Sequence, residues 1–391
     1  MWLTELRAAN WRNLRDVLIG FSPEVRLNVL FGENAQGKTN ILEAIYFLSA
    51  FRSFRTSQSS DLVRQGFERA SVAGKIVTQD LVREVEVSLG GIRGGPEVSL
   101  PASSQGSQAR VEKRISIDGK ACRSTAQAFG VLSVVLFVPE DLSLFRASPS
   151  LRRRFLDLAI SGVERSYFAA ATDFQKVLRS RNALLKNARG AAVPSTLLDT
   201  YDEEFARTGA EIVHRRREQI AGLAPQVQTL FSALHASLDV SMTYESDPGV
   251  QAAGDLAAIR KALLAGLAAQ RKMDLRRGHT TFGPQLDDFE VRLNGRPARE
   301  HASQGQLRSL VLSLKLAELA NIQIRTHETP LLLLDDVPSE LDLRRRQYMF
   351  ETLDDLECQT ILSVADRSVI SGGRNREDFA VSDGRVERVP S

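Results

Sequence analysis

Residues 27–45, Leu27-Asn28-Val29-Leu30-Phe31-Gly32-Glu33-Asn34-Ala35-Gln36-Gly37-Lys38-Thr39-Asn40-Ile41-Leu42-Glu43-Ala44-Ile45, leave the chain few folds to choose from. An apolar run of strand length stops at Gly32, Gly37-Lys38-Thr39 follows, and Ile41, Leu42 and Ile45 then recur at helical spacing. That is strand, loop and helix with G-x-x-x-x-G-K-[ST] at the joint, the context this motif requires. Gly32 and Gly37 let backbone N–H groups turn inward around an anion, and the helix start adds the positive end of its dipole. Lys38 can reach β- and γ-phosphates, and the Thr39 hydroxyl can ligate Mg²⁺. The same residues could form a plain glycine turn before a buried helix, but the flanking elements favour a nucleotide-binding loop. Its candidate binding residues are Gly32, Glu33, Asn34, Ala35, Gln36, Gly37, Lys38, Thr39 and Asn40.

Leu331-Leu332-Leu333-Leu334-Asp335-Asp336 is the natural companion to that loop. An unbroken apolar run suits a strand buried on both faces. Two carboxylates at its end need a reason, because unpaired buried charge is expensive. Asp335 is the expected metal ligand with Thr39, and Asp336 the group that orients or deprotonates an attacking water; Lys38 completes the catalytic set. Ser303-Gln304-Gly305-Gln306 opens a further helix, continued by Leu312, Leu316 and Leu319. Ser303 is an ordinary helix N-cap residue, and a capped, glycine-bearing helix start also offers free N–H groups to a γ-phosphate.

The chain has 391 residues, 43% hydrophobic and 25% charged, enough for two or three globular domains. A net charge of only +3 means that affinity for nucleic acid must come from local patches. Two distant cysteines, Cys122 and Cys358, suggest neither a metal site nor a disulfide framework, which fits a reducing compartment. The start reads as no signal peptide and no apolar stretch has the length of a membrane span, so a soluble cytoplasmic protein without membrane partners is expected.

The N-terminal stretch alternates as a strand pair, Trp2–Trp11 and Val17–Phe21, around the corner Arg12-Asn13-Leu14. Val72, Ile76, Val82, Val85, Val87 and Leu89 alternate as antiparallel strands, and Gly90–Arg110 reads as a surface loop. Val131–Val138 reads as a buried strand. From Ser148-Pro149 to about Arg271 the pattern is almost wholly helical; one stripe runs Tyr167, Ala171, Phe174, Leu178, Arg181 and Leu185, and only Val240–Tyr244 looks like strand. Mixed α/β character returns after His279, with Phe289–Leu293 a strand before the turn Asn294-Gly295. The expected architecture is an α/β core from residues 1–140 and 276–391, interrupted by a helical lobe at 141–275.

The ordered set of loop, capped helix and Asp pair resembles an ABC-type ATPase head, in which the signature helix of one subunit closes on nucleotide held by the other. Within that superfamily the chain resembles the RecF family of recombination mediators. The similarity lies in Asn10–Leu14, Gly32–Asn40, Ser53-Phe54-Arg55-Thr56, Pro139-Glu140-Asp141-Leu142, Ser148–Asp157, Gly283-Pro284 with Asp287-Asp288, Ser303–Gln306, and Asp335-Asp336-Val337 with Ser339–Asp342. The resemblance implies ATP and Mg²⁺, an ATP-dependent homodimer, DNA as partner, and cooperation with other recombination mediators in loading the recombinase at gaps. It adds Arg12 to the nucleotide-binding set, makes Ser303, Gln304, Gly305 and Gln306 the signature contact, and gives Asp366 the region of a γ-phosphate-sensing switch residue. Gln285-Leu286 and Pro338 depart from the family pattern, where His-Arg and Phe are usual.

DNA binding requires phosphate contacts. Candidates are Arg52 and Arg55; Arg152-Arg153-Arg154; Lys176, Arg179, Arg181, Lys186 and Arg189; Arg215-Arg216-Arg217; and Arg276-Arg277. Such clusters are more often solvated faces, and Arg152–Arg154 could instead brace the helical lobe. With no aromatic platform for single strands, backbone recognition of duplex or of a duplex–single-strand junction is expected. A transporter ATPase subunit and a structural chromosome-organising head share the same nucleotide motifs and are the rival readings.

Overall fold

The computed structural model describes residues 1–78, 81–91, 111–187, 195–370 and 375–390, so most of the Gly90–Arg110 loop, and Arg189, lie outside the described residues. The chain divides into two compact units, Met1–Pro139 with Thr326–Ser391, and Glu140–Arg325.

The first unit is built on two sheets. One is antiparallel in the order β2 (Leu14–Gly20), β1 (Trp2–Trp11), β4 (Arg69–Thr78), β5 (Leu81–Gly91), β6 (Val111–Ile117), β7 (Lys120–Ala121). Alternation explains it: Leu3, Leu6, Val72, Ile76, Val85 and Val87 face inward with 0% exposure. The other sheet runs β15 (Arg385–Val389), β14 (Arg376–Ser382), β3 (Leu27–Phe31), β13 (Thr360–Val364), β12 (Leu331–Asp335), β8 (Val134–Phe137). All its neighbouring strands pair in parallel except β14 with β15. Its strands are continuous apolar runs because both faces are covered; Leu331, Leu333, Leu334, Ile361 and Leu362 are each 0% exposed. The helix Lys38–Ala50 leaves β3 through the Gly32–Gly37 loop and buries Ile41, Leu42 and Ile45.

Cys358, just before β13, is buried and its Sγ donates to Pro330 O at 3.1 Å, and burial pushes the thiol up to about 12, whereas Cys122 is half-buried. The thiolate is the nucleophile. Ellman's reagent should therefore modify one thiol per native chain at pH 8 and both after denaturation; two fast-reacting native thiols would contradict this packing.

The second unit is mostly helical: Pro149–Val163, Arg165–Asn187, Ser195–Leu234, Leu256–Arg277 and Gln304–Thr326 are its long helices. The strand-like interruption at 240 is β9 (Val240–Glu245), paired antiparallel with β10 (Asp288–Leu293), from which β11 (Arg296–Pro297) turns back. That pairing, together with the Lys315 ion pair to Asp141 at 3.5 Å, keeps residues 276–325 with the helices. The compact division therefore falls at Arg325, not at the expected 276, although the helical pattern does end near there, at Arg277.

Much of the basic character expected to meet DNA is committed inside this unit. Arg181, on the apolar stripe, is 0% exposed and bonds Asp202, Asp274 and Thr280. Arg152 forks onto Asp288 at 2.8 and 2.7 Å, and Arg153 donates to Asp287 O. Arg215 pairs with Glu164 and Glu211, Arg216 forks onto Asp157, and Arg217 donates to the carbonyls of Val250 and Ala253. These arginines tie segments of the unit together, as the bracing reading of Arg152-Arg153 expects. A buried cation without partners would be prohibitive, and the most buried of them, Arg181, Arg152 and Arg216, each meet at least one carboxylate.

Candidate nucleotide site

Gly32, Ser363 and Asp335 come together because β3, β13 and β12 are neighbours. The register pairs Phe31 with Val364 and Ser363 with Asp335, so all three residues stand at the carboxyl ends of adjacent parallel strands. That edge is where open parallel sheets hold ligands.

The loop's backbone is shaped by two glycines. Gly32 has φ 151°, and a Cβ there would lie 2.3 Å from Val381 O; Gly37 has φ 122°, and a Cβ would lie 2.9 Å from Asn13 Oδ1. Neither position accepts a side chain. Between them Ala35 also has positive φ, 66°, giving the curled backbone that turns successive N–H groups inward. Gln36 braces the loop from behind: its carbonyl accepts from Asn13 Nδ2 at 3.0 Å and Gly384 N at 2.9 Å, and its Oε1 accepts from Asp383 N at 2.7 Å.

A cavity of about 330 Å³ opens over the loop, walled by Asn34, Ala35 and Gly37–Asn40 on one side and by Asp335, Asp336 and Ser363 on another. The Lys38 ammonium donates to Gly32 O at 2.5 Å and Glu33 O at 2.7 Å. Burial lowers its pKa, partly offset by the carboxylates of Asp336 and Asp335. Thr39 Oγ1 donates to Asp335 Oδ1 at 2.9 Å, and Ser363 Oγ donates to the same oxygen at 2.7 Å. Asp336 has φ 54°, donates its N–H to Ser363, and accepts from Ser339 Oγ at 2.6 Å. An aliphatic hydroxyl and a carboxylate converging on one point are hard oxygen donors suited to Mg²⁺.

Three wall residues were not assigned to nucleotide by sequence. Asn13 bridges Gln36 and Asn40, whose Nδ2 donates to Asn13 Oδ1 at 2.8 Å. Arg55, weighed as a DNA contact, lines the cavity and donates to Asn40 Oδ1 at 2.8 Å. Ser363 carried one usable signal, its place at the end of an apolar parallel strand.

Arg12 supports the loop helix: it forks onto the fully buried Glu43 at 2.8 Å twice, and Ser53 Oγ donates to the same carboxylate. Asp366 stands apart from the cavity walls. Its carboxylate is exposed and accepts from Ser368 N at 2.8 Å, capping a short turn.

Ser303–Gln306 belongs to the second unit. Gln306 N donates to Ser303 Oγ at 3.2 Å and Ser303 N donates to Gln306 Oε1 at 2.8 Å, a reciprocal capping box that opens the helix Gln304–Thr326. Asp287 accepts from Tyr244 Oη at 2.7 Å and Asp288 from Arg152, so the second Asp pair holds this unit together. Of the departing residues, Gln285 donates to Phe282 O and Leu286 is 56% exposed.

Fold and site define a P-loop ATPase head of the ABC type. The chain matches the family described as RecF/RecN/SMC N terminal domain over residues 2–377. It is 37% identical over 376 residues to the DNA replication and repair protein RecF of Myxococcus xanthus (strain DK1622), covering 95% of this chain and 93% of that protein. Against RecF of Anaeromyxobacter sp. (strain K) the identity is 36% over 395 residues and all of both chains. A solved structure of the recombination mediator protein RecF-ATP in the RecFOR pathway superposes with TM-score 0.87 at 32% identity, covering 100% of this chain and 98% of that one. An SMC head bound to the C-winged helix domain of ScpA shares the fold, with TM-score 0.54 at 16% identity and 97% of it covered. The chain belongs to the RecF family of DNA replication and repair proteins. Among the described residues no helix is long and apolar enough to cross a membrane.

Proposed function

We propose that this protein is an ATP-dependent DNA clamp of bacterial recombinational repair. The observation that carries the reading is the convergence of Lys38, Thr39, Asp335 and Asp336 on one cavity in a chain so similar to a RecF–ATP structure. ATP lies on the Gly32–Thr39 backbone, with Lys38 turned from the loop carbonyls to the phosphates. Thr39 and Asp335 would hold Mg²⁺, which supplies charge neutralisation at the β- and γ-phosphates. Two copies then close, each setting Ser303, Gln304, Gly305 and Gln306 over the other's γ-phosphate, and DNA is gripped between them. Asp336 orients the attacking water, and slow hydrolysis releases the clamp, helping other mediators to load the recombinase at gaps.

ATP, but not ADP, should convert monomer to dimer in analytical ultracentrifugation, and ATP hydrolysis should rise with duplex or gapped DNA. A chain that stays monomeric with ATP would sink the closure step, and turnover indifferent to DNA would favour the transporter reading. DNA affinity should fall steeply with salt, since phosphate contacts release counterions.

A further inference from the structure

His235 follows directly on the long helix Ser195–Leu234, its ring stacked on Phe231 with centroids 4.7 Å apart. Its Nε2 lies 2.9 Å from Ser309 Oγ, and Ser309 Oγ lies 3.1 Å from Gly305 O. A hydroxyl carries a single proton. With that proton on the Gly305 carbonyl, His235 Nε2–H is the donor to Ser309, which places the ring proton on Nε2. Ser309, the middle of the relay, is 0% exposed, while His235 and Gly305 are half-buried, so the hydroxyl that joins them is out of water, where a hydrogen bond holds geometry better.

The relay ends in the first turn of the helix Gln304–Thr326, within the Ser303–Gln306 stretch. The capping box satisfies the end of that helix from its own residues, but it does not set the turn against any other element. His235 does, and the helix that precedes it is tied to other segments of the unit: Arg216 donates to Pro284 O at 2.8 Å and forks onto Asp157.

We propose that His235 is a positioning residue for the signature turn, transmitting the placement of the 195–234 helix to Gly305 through Ser309. A displacement of that helix then changes how well Ser303–Gln306 can close on nucleotide held by a second copy. The inference rests on the assignment of Ser303–Gln306 to that closure.

The test uses the full chain with His235→Ala, His235→Gln, Ser309→Ala and the double variant His235→Ala/Ser309→Ala. Three quantities are read: amide hydrogen exchange over 303–309 without nucleotide, ATP-driven dimerisation by ultracentrifugation, and binding of fluorescent ATP to the monomer. His235→Ala should speed exchange and weaken dimerisation by about fivefold to tenfold, the scale of one part-buried hydrogen bond. Monomer affinity for ATP should not change. Glutamine, whose Nε2 can donate from nearly the same place, should restore both to within about twofold, and the double variant should lose no more than either single one. Unchanged exchange, equal losses for Ala and Gln, or additive losses would overturn the proposal. A wild-type chain that stays monomeric with ATP would instead overturn the closure reading, and the role of His235 in closure with it.

Discussion

Asp336→Asn should slow ATP hydrolysis by about 10²–10⁴-fold, the range for loss of a positioned general base, while the ATP-bound dimer accumulates. Asparagine is the right replacement because Asp336 has φ 54°, a left-handed conformation that asparagine tolerates and most residues resist. Its amide oxygen can still accept from Ser339, so the turn after β12 is kept and only the base is lost. Asp335, which accepts from Thr39 and Ser363, is untouched, so nucleotide affinity should hold. Single-turnover hydrolysis and sedimentation on the same preparation separate the two effects. Turnover within about threefold of wild type would remove Asp336 from the chemistry.

Arg181→Ala should destabilise the chain by about 3–5 kcal/mol, the cost of breaking a buried ion pair from one side. Arg181 joins three helices: it donates to Asp202 Oδ1 at 2.7 Å, Asp274 Oδ2 at 2.8 Å and Thr280 Oγ1 at 2.7 Å. After truncation Asp202 keeps Arg271, but Asp274, 0% exposed, keeps among the described residues only Thr281 against a full negative charge. The neighbouring Arg179 is exposed and among the described residues donates only to Gln175 O, so Arg179→Ala should stay within about 0.5 kcal/mol of wild type. Urea unfolding followed by far-ultraviolet circular dichroism measures both. Equal effects would mean that the Arg181 cluster contributes nothing beyond a surface contact.

The contrast between Arg181 and Arg179 shows where sequence reading stops. Both stand in one basic stretch, and both could serve a phosphate backbone. The heptad-like stripe Tyr167–Leu185 already placed Arg181 among apolar residues, yet only the packed helices reveal Asp202 and Asp274 as its partners. The same holds for Arg152 and Arg216, whose acceptors lie far away in sequence at Asp288 and Asp157. Charge runs report that cations are present, and burial decides which of them still face solvent.

The glycine-flanked loop between β3 and its helix was legible because its geometry is local. Strand, two glycines, lysine, threonine and helix are consecutive, and steric and dipolar rules act over that same range. The helix start at Ser303 and the turn at Asn294-Gly295 were legible for the same reason: each is settled by residues within hydrogen-bond reach along the chain. Which residues join Lys38 and Thr39 in the cavity was not local. Asn13, Arg55 and Ser363 arrive through strand order, and the pairing of β3 with β13 and of β13 with β12 exists only once the sheet closes. Sequence by itself thus determined the glycine-flanked loop between strand and helix and the class of head that carries it. The tertiary structure alone decided which cations are buried, where the units divide and what surrounds the cavity, because those depend on contacts between segments whose separation along the chain carries no energetic signal until they pack.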